Sequence, residues 1–192
     1  MLDRELSGGG NAPHLPIIDN RRWFINIPGY QFFPMRFFIA GIMQGSHAVN
    51  HMHDQDYRRR IAQLLEEHFP GVEIYDPLAK HKNSLDYDKL TGREVFFRHN
   101  LMCREVDVLI AFLPEASMGT AIEMWEAHQH GAVIFSISPM KHNWAVKFLS
   151  HGLYCNEAEF IAALGRGEVA SKIKAALGTE KKFSQHQPPG EG

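Results

Sequence analysis

The stretch VDVLIAFLPEASMGTAIEMWEAHQHGAVIFSIS, residues 106–138, decides the fold class. An apolar run is followed by a Pro- and Gly-containing loop, then by a segment with helical spacing, and then by a second apolar run. Apolar runs that alternate with helical patterns are typical of βαβ units, in which the two strands are parallel and the helix covers the sheet. The first run, VDVLIAFL, is the most apolar of the chain, which predicts a central strand.

The same alternation extends in both directions. RFFIAG and VEIYDP are predicted strands, REVFFRHNLMCREV and NWAVKFLSH are predicted helices, and one or two closing helices are expected over residues 157–177. The sequence therefore predicts a single flavodoxin- or Rossmann-like α/β domain over residues 35–178, with a parallel sheet and helices on both faces.

The segment DYRRRIAQLLEEHF is predicted to form an amphipathic helix. Its spacing places five side chains on the buried face, namely Tyr57, Ile61, Leu64, Leu65 and Phe69. The same spacing turns Arg58, Arg59 and Glu66 towards solvent.

The two ends of the chain differ in composition from this domain. Residues 1–34 are rich in Gly, Pro and Asn and then in aromatic residues, which predicts an arm that docks on its own core or on a neighbouring subunit. Residues 179–192 are polar and rich in Pro and Gly, which predicts a disordered tail.

Composition limits the function. The 192 residues carry a net charge of -2, so there is no overall basic field to attract nucleic acid. Cys103 and Cys155 have neither metal-ligand spacing nor the density of a secreted disulfide framework, and no apolar run reaches the length of a membrane span. We expect a cytoplasmic protein that does not bind nucleic acid or membranes.

Four loops leave the predicted strand ends at one edge of the sheet: AGIMQGSH, DPLAKHKNSLDYD, PEASMG and SPMKHN. In an open parallel sheet the ligand crevice lies beyond the carboxyl ends of the strands, where the strand order reverses. These loops are therefore the candidate site.

Glu123 follows the third of these loops and has two interpretations. Thr120-x-x-Glu123 fits a capping box, in which both side chains satisfy free backbone N–H groups at a helix start. Alternatively, the positive end of the helix dipole keeps the carboxylate ionised, as a nucleophile requires, and Gly119 lets a ligand approach the backbone. The two interpretations are compatible.

The first strand FFIAG, together with residues 106–138, resembles the nucleoside 2-deoxyribosyltransferase family, including relatives that hydrolyse nucleoside 5'-monophosphates. The matching features are the strand, the loop, Gly119 before Glu123, Ala127 after it and the following G-x-V-I strand. The resemblance covers about residues 36–140. It implies a flavodoxin-like fold, a homodimer or higher homo-oligomer, and no metal or organic cofactor.

For the reaction, the resemblance implies that Glu123 attacks C1' of a nucleoside or nucleotide and forms a glycosyl-enzyme ester. Ser117 matches a position that is Asp in the transferases, where it holds the 5'-hydroxyl, and Ser in the monophosphate hydrolases, where it contacts the 5'-phosphate. A plain loop serine is the other interpretation. Ser117 favours hydrolysis of a phosphorylated substrate over transfer.

Several positions depart from the family pattern. His99 replaces a base-contacting Asp, so that His99 or Asn100 is expected to bind the base and His99 to protonate the leaving nitrogen. A supporting first-strand Tyr has no equivalent. The loop GIMQGS has no Arg, which leaves binding to Gly41, Gln44 and Ser46.

Further candidates lie on the other loops. Asp86 and Asp88 are spare acids on a loop that is predicted to cover the base, or they are plain solvated residues. Asn143 lies where relatives supply a residue to the neighbouring subunit's site, and Trp144 is expected in a dimer interface.

The sequence thus predicts an enzyme that cleaves the N-glycosidic bond of a nucleoside or nucleoside 5'-monophosphate. The alternative is a catalytically weak nucleotide-binding or signalling module with the same fold. A third hypothesis is a metal-dependent hydrolase that uses His47, His51 and His53.

Overall fold

A computed structural model of the protein describes residues 34–44 and 52–184. It contains a five-stranded, fully parallel sheet with the strand order β2-β1-β3-β4-β5. The strands are β1 (Arg36–Gly41), β2 (Glu73–Tyr75), β3 (Val108–Phe112), β4 (Val133–Ile137) and β5 (Gly152–Tyr154). This confirms the predicted α/β fold.

Helices connect the strands and cover both faces of the sheet. They are α1 (Asp56–His68), α2 (Pro77–Lys80), α3 (Lys89–Met102), α4 (Met118–Gln129), α5 (Trp144–Leu149), α6 (Glu157–Gly165) and α7 (Glu168–Ser184), with a 3₁₀ turn at Ser84–Asp86. In residues 34–44 and 52–184, none of these helices has the length and apolar character that a bilayer crossing requires.

Alternation along the strands produces two hydrophobic cores. Phe37 and Ile39 of β1 point to the face covered by α1, α6 and α7, whereas Phe38 and Ala40 point to the face covered by α3, α4 and α5. β1, β3 and β4 are almost entirely buried, as expected for inner strands of a parallel sheet.

Differences from the sequence prediction are concentrated at short elements and ends. The strand β5 was not predicted; its three residues are too few to show a period, and pairing with β4 defines them. α7 continues to Ser184 and so includes the first residues of the predicted tail. The predicted arm, apart from Pro34, and residues 185–192 lie outside the described residues.

The strand order reverses between β1 and β3. β1 pairs with β2 on one side and with β3 on the other, and the chain crosses from one face of the sheet to the other between them. The crevice beyond the carboxyl ends of these two strands is the expected ligand site of this topology.

Candidate active site

A cavity of about 600 Å³ opens at this position. Its walls come from the end of β1, the loop between β2 and α3, the middle of α3, and the first turns of α4. This volume lies in the range of small-molecule sites, about 300–1,000 Å³. Seven of the predicted site residues line this cavity: Gly41, Gln44, His99, Asn100, Ser117, Gly119 and Glu123.

Glu123 lies on α4 and lines the cavity from the side of the sheet. Burial of its carboxyl group raises the pKa from 4.5 to about 7, and the positive charge of Arg58 acts in the opposite direction. At neutral pH the carboxyl group is therefore close to half ionised. A carboxyl group that burial has shifted in this way, in a crevice, is typical of a catalytic site.

The start of α4 differs from the predicted capping box. The helix begins at Met118 and its N-cap is Ser117, whose hydroxyl accepts a hydrogen bond from the Thr120 backbone N–H at 3.4 Å. Thr120 is thus inside the first turn and Glu123 in the second, so the cap interpretation of Glu123 is wrong. The local pattern misled because Ser117 and Thr120 are both good capping residues, and the earlier one caps the helix.

Ser117 retains a donor for a ligand. Its oxygen also accepts a hydrogen bond from Thr120 Oγ1 at 3.0 Å, and both contacts use lone pairs, which leaves the Ser117 hydroxyl proton to point elsewhere. The residue lines the cavity next to the backbone of Met118 and Gly119, at the positive end of the α4 dipole. This end of the cavity is suited to an anion or a hydroxyl group.

Gly119 opens the cavity at this point. A Cβ atom placed on Gly119 would have no protein atom within 4 Å, so the space above its backbone is available to a ligand. The predicted close approach at this residue therefore agrees with the geometry.

His99 and Asn100 form the opposite wall, on α3. Each is 8% exposed, and His99 Nε2 and Asn100 Oδ1 are buried without a hydrogen-bond partner. Asn100 Nδ2 donates to the Phe96 carbonyl at 2.8 Å, which leaves Oδ1 as the free acceptor. Buried polar atoms are costly to leave unpaired, so these two atoms on a cavity wall are suited to hydrogen bonding with a polar ligand.

The protonation state of His99 bears on its predicted role. Burial and then, in decreasing order, the nearby charges of His81, Arg58 and Arg98 together lower its pKa from 6.5 to about 4. At neutral pH the imidazole is neutral. It can donate one N–H hydrogen bond and accept another, but it holds no imidazolium proton.

The remaining predicted residues lie elsewhere. Ser46 is outside the described residues. Asp86 is part of the 3₁₀ turn and is not among the residues that line the cavity, and Asp88 caps α3 by accepting from Leu90 and Thr91 N–H groups. Asn143 caps α5 and lines a second cavity of about 410 Å³ between α4 and α5.

The histidine cluster is only partly described. His47 and His51 lie outside the described residues, and His53 Nε2 pairs with Glu115 Oε1 at 2.8 Å. Across residues 34–44 and 52–184 there is no group of three or more His, Cys, Asp or Glu side chains arranged to hold a metal ion.

Two further residues of α1 reach the site from behind. Arg58, predicted to face solvent, is 2% exposed and donates to the carbonyl groups of Ile39 and Gly41. Tyr57, predicted as a core residue, donates from its hydroxyl to the Ile42 carbonyl at 3.3 Å. Burial and, to a lesser extent, the negative charge of Glu123 raise the pKa of that hydroxyl. Helical spacing could not reveal the burial of Arg58, because its acceptors come from β1 and from Asp76, which follows β2.

An aromatic group on the loop before α3 was also missed. Tyr87 and His81 line the cavity, and Tyr87 Oη lies 2.9 Å from His81 Nδ1. The His81 ring meets the His99 ring edge-on with centroids 5.1 Å apart. The segment HKNSLDY begins with His81 and ends with Tyr87, but the contact of these two residues with each other and with α3 depends on the loop conformation.

Several solved structures are similar to this chain. A 2-deoxyribosyltransferase from the psychrotolerant bacterium Bacillus psychrosaccharolyticus is 14% identical, with a TM-score of 0.50 over 67% of this chain and 95% of that one. A CMP N-glycosidase of Clostridium botulinum, BcmB, is 22% identical over 68% of this chain and 97% of that one, with a TM-score of 0.40. A conserved protein from Enterococcus faecalis V583 is 14% identical over 70% and 99%, with a TM-score of 0.43.

The first of these likenesses confirms the flavodoxin-like fold that the sequence predicted. No family model matches the sequence, and no curated protein matches it. The argument for a reaction therefore rests on the residues of the site itself.

Proposed function

We propose that the protein is an enzyme that cleaves the N-glycosidic bond of a nucleoside or nucleoside 5'-monophosphate, with Glu123 as the nucleophile. One observation carries this proposal. A single cavity is lined by Glu123, by the first turn of α4 and by the two α3 residues whose polar atoms are unsatisfied. A nucleotide has the matching three parts, which are an anionic end, a central sugar and a polar base.

In the proposed reaction, one Glu123 carboxylate oxygen attacks C1' of the sugar. The C1'–N bond breaks through an oxocarbenium-like transition state, its electron pair leaves with the base, and a glycosyl ester forms on Glu123. Water then attacks C1' and releases the free sugar or sugar phosphate and the carboxylate. Only the ionised fraction of Glu123 reacts, because a protonated carboxyl group is a poor nucleophile.

The sugar end binds at the start of α4. The Ser117 hydroxyl and the backbone N–H groups of Met118 and Gly119 donate to the 5'-phosphate or the 5'-hydroxyl. A neutral serine does not repel a phosphate, which supports a phosphorylated substrate. The sequence resemblance implies Asp at this position in the transferases and Ser in the monophosphate hydrolases. Ser117 therefore also supports hydrolysis over transfer to a second base.

The base binds against α3. Asn100 Oδ1 accepts from an N–H group of the base edge, and His99 Nε2 forms a second hydrogen bond. With a pKa of about 4, His99 binds the base as a neutral ring, and water in the cavity supplies the proton that the leaving nitrogen takes up. Tyr87 and Phe96 offer ring surfaces to the base.

We further propose that the enzyme is a homodimer or a higher homo-oligomer. α3, α4 and α5 pack side by side and expose several large apolar side chains, among them Phe97, Met118, Trp125, Trp144 and Phe148. Trp144 is 77% exposed, which agrees with its predicted place in an interface. Light scattering on the wild type and on Trp144→Ser tests this, since the variant should shift towards monomer.

The decisive experiment measures free base released from ribo- and deoxynucleosides and their 5'-monophosphates by the wild type and by Glu123→Gln. Release by the wild type alone supports the proposal and identifies the preferred sugar and phosphate state. Glu126→Gln on the same helix is the matched control and should retain activity. No release from any substrate, combined with nucleotide-dependent thermal stabilisation, would instead favour the binding-module alternative.

A further inference from the structure

Arg58 is a buried cation in a helix whose neighbouring arginines are exposed. The side chains of Arg59 and Arg60 are 73% and 48% exposed, whereas that of Arg58 is 2% exposed. Burying a guanidinium group costs several kcal/mol unless hydrogen bonds and counter-charges compensate for the lost hydration. A methionine or leucine would fill the same position without this desolvation cost, so the presence of a charge needs a separate explanation.

The contacts of Arg58 fix it behind the active site. Its Nη1 donates to the Ile39 carbonyl at 2.7 Å and its Nη2 to the Gly41 carbonyl at 3.0 Å. Both acceptors lie near the end of strand β1 that borders the cavity. Its Nε donates to Gln55 Oε1 at 2.8 Å. The guanidinium group therefore ties α1 to the cavity end of the central sheet.

Asp76 supplies the counter-charge of Arg58 from a partly exposed position. Arg58 Nη1 forms an ion pair with Asp76 Oδ1 at 3.2 Å, and this oxygen also accepts from the Leu78 N–H as the cap of α2. The Asp76 side chain is 21% exposed and that of Arg58 is 2% exposed, so solvent screens the counter-charge more than the guanidinium charge. Gly41, whose carbonyl group accepts from Arg58, and Glu123 line the same cavity.

We propose that Arg58 is a positioning residue for the N-glycosidic reaction: its buried guanidinium group holds the end of β1 in place and keeps the Glu123 carboxylate ionised for attack. This inference rests on the proposed function, because it assigns Arg58 to the chemistry of the same nucleophile. Arg58 does not touch the substrate; it acts through Glu123 and the β1 backbone.

The other ionisable groups around Glu123 do not supply this charge. They are Tyr57 on α1, His99 and Cys103 on and after α3, Asp76 after β2, and Glu126 on α4, which pairs with Arg104. Burial raises the pKa of Tyr57 and of Cys103 and lowers that of His99, so all three are neutral at neutral pH. Arg58 is the cation that lowers the pKa of Glu123 against the effect of burial.

The test compares the pH dependence of kcat/KM in Arg58→Met and Arg60→Met. Arg60 lies on the same helix and forms an exposed ion pair with Glu157, so its variant should keep the wild-type profile. We expect Arg58→Met to move the acidic limb upward by about one pH unit or more, which costs about tenfold in rate below the limb and much less above it. Arg58→Lys, which keeps the charge, should move it less.

A variant of Asp76 gives an effect of opposite sign. Asp76→Asn keeps an oxygen to cap α2 but removes the counter-charge of Arg58, so the acidic limb should move downward. This variant also serves if Arg58→Met fails to fold. A uniform loss of rate in the Arg58 variants, with the limb unmoved, would overturn the inference and leave Arg58 a purely structural residue.

A direct titration separates this inference from the proposed function. The Glu123 side-chain carbon of ¹³C-labelled protein reports the ionisation of its carboxyl group by NMR without any turnover. If the wild type releases no base but the Glu123 titration still moves upward in Arg58→Met, the proposed reaction fails while the electrostatic role of Arg58 stands. If base is released and the titration is the same in both proteins, the role of Arg58 fails.

Discussion

The hydroxyl group of Tyr57 occupies the space that a side chain on Gly41 would fill. A Cβ atom on Gly41 would overlap Tyr57 Oη and would lie 3.1 Å from the Phe112 carbonyl oxygen. Tyr57 is itself fixed, because its ring stacks on Phe112 with centroids 4.1 Å apart. The end of β1 can therefore approach α1 only because residue 41 has no side chain, and this approach brings the Gly41 carbonyl to Arg58.

Gly41→Ala should accordingly destabilise the protein, by about 1–3 kcal/mol as for other overpacked cores. The measurement is chemical denaturation at neutral pH. Tyr57→Phe removes the overlapping oxygen, so Gly41→Ala should cost less stability in the Tyr57→Phe background than in the wild type. Equal and additive losses would show that the two residues do not interfere.

Gly119→Ala should weaken ligand binding without destabilising the protein. Its Cβ meets no protein atom, and alanine is favoured over glycine in a helix by up to about 1 kcal/mol, so folding should be unaffected or improved. The methyl group enters the ligand space instead. We expect weaker nucleotide binding with an unchanged or raised melting temperature, measured by calorimetry and thermal denaturation. Wild-type affinity in this variant would place the ligand elsewhere.

Ser117→Asp should change the preferred substrate while it preserves the helix. Aspartate is as good an N-cap as serine, so α4 should keep its start. Its charge repels a 5'-phosphate but still accepts a hydrogen bond from a 5'-hydroxyl. The ratio of kcat/KM for a nucleoside 5'-monophosphate to that for the nucleoside should therefore fall by about tenfold or more, for about 1.4 kcal/mol of repulsion. Ser117→Asn, which is a neutral cap, is the control and should leave the ratio nearly unchanged.

The activity of the wild type should depend on the ionisation of Glu123. Because the pKa of Glu123 is about 7, kcat/KM should rise with pH through this value, with about a tenfold loss per pH unit below it. His99, with a pKa of about 4, should add no limb near neutrality. A flat profile between about pH 5 and 8 would contradict a nucleophile with this pKa.

Stability should show the cost of the same buried carboxyl group. The folded-state pKa is raised from 4.5 to about 7, so the folded protein retains this proton more strongly than the unfolded chain. The resulting stability difference is zero below about pH 4.5, where both states are protonated, and it grows as a penalty up to about pH 7. Glu123→Gln removes the ionisation and should be more stable than the wild type by about 3 kcal/mol at about pH 8, but not at about pH 4.

Denaturation at these two pH values measures the effect. Glu66→Gln, at an exposed position of α1, is the control and should show no comparable pH-dependent gain. A gain for Glu123→Gln that is equal at both pH values would point to altered packing rather than to the ionisation of the carboxyl group.

The local sequence pattern was sufficient to predict the α/β class and most of the element order. The apolar runs of β1, β3 and β4 are long enough to predict inner strands, and the spacing of Tyr57, Ile61, Leu65 and Phe69 predicted the buried face of α1. These features depend on the local period of the chain, which each segment carries in its own residues. The position of the site followed from topology, since loops after parallel strands meet at one edge.

The burial and the pKa values of the residues at that edge of the sheet depend on tertiary packing. The burial of Arg58 depends on carbonyl groups of Ile39 and Gly41 and on Asp76, which lie 17 to 19 residues away along the chain. The strand β5 exists because β4 supplies its partners, and the raised pKa of Glu123 and the lowered pKa of His99 come from burial by several elements together. Contacts and desolvation are properties of the packed chain, so no local pattern of residues encodes them.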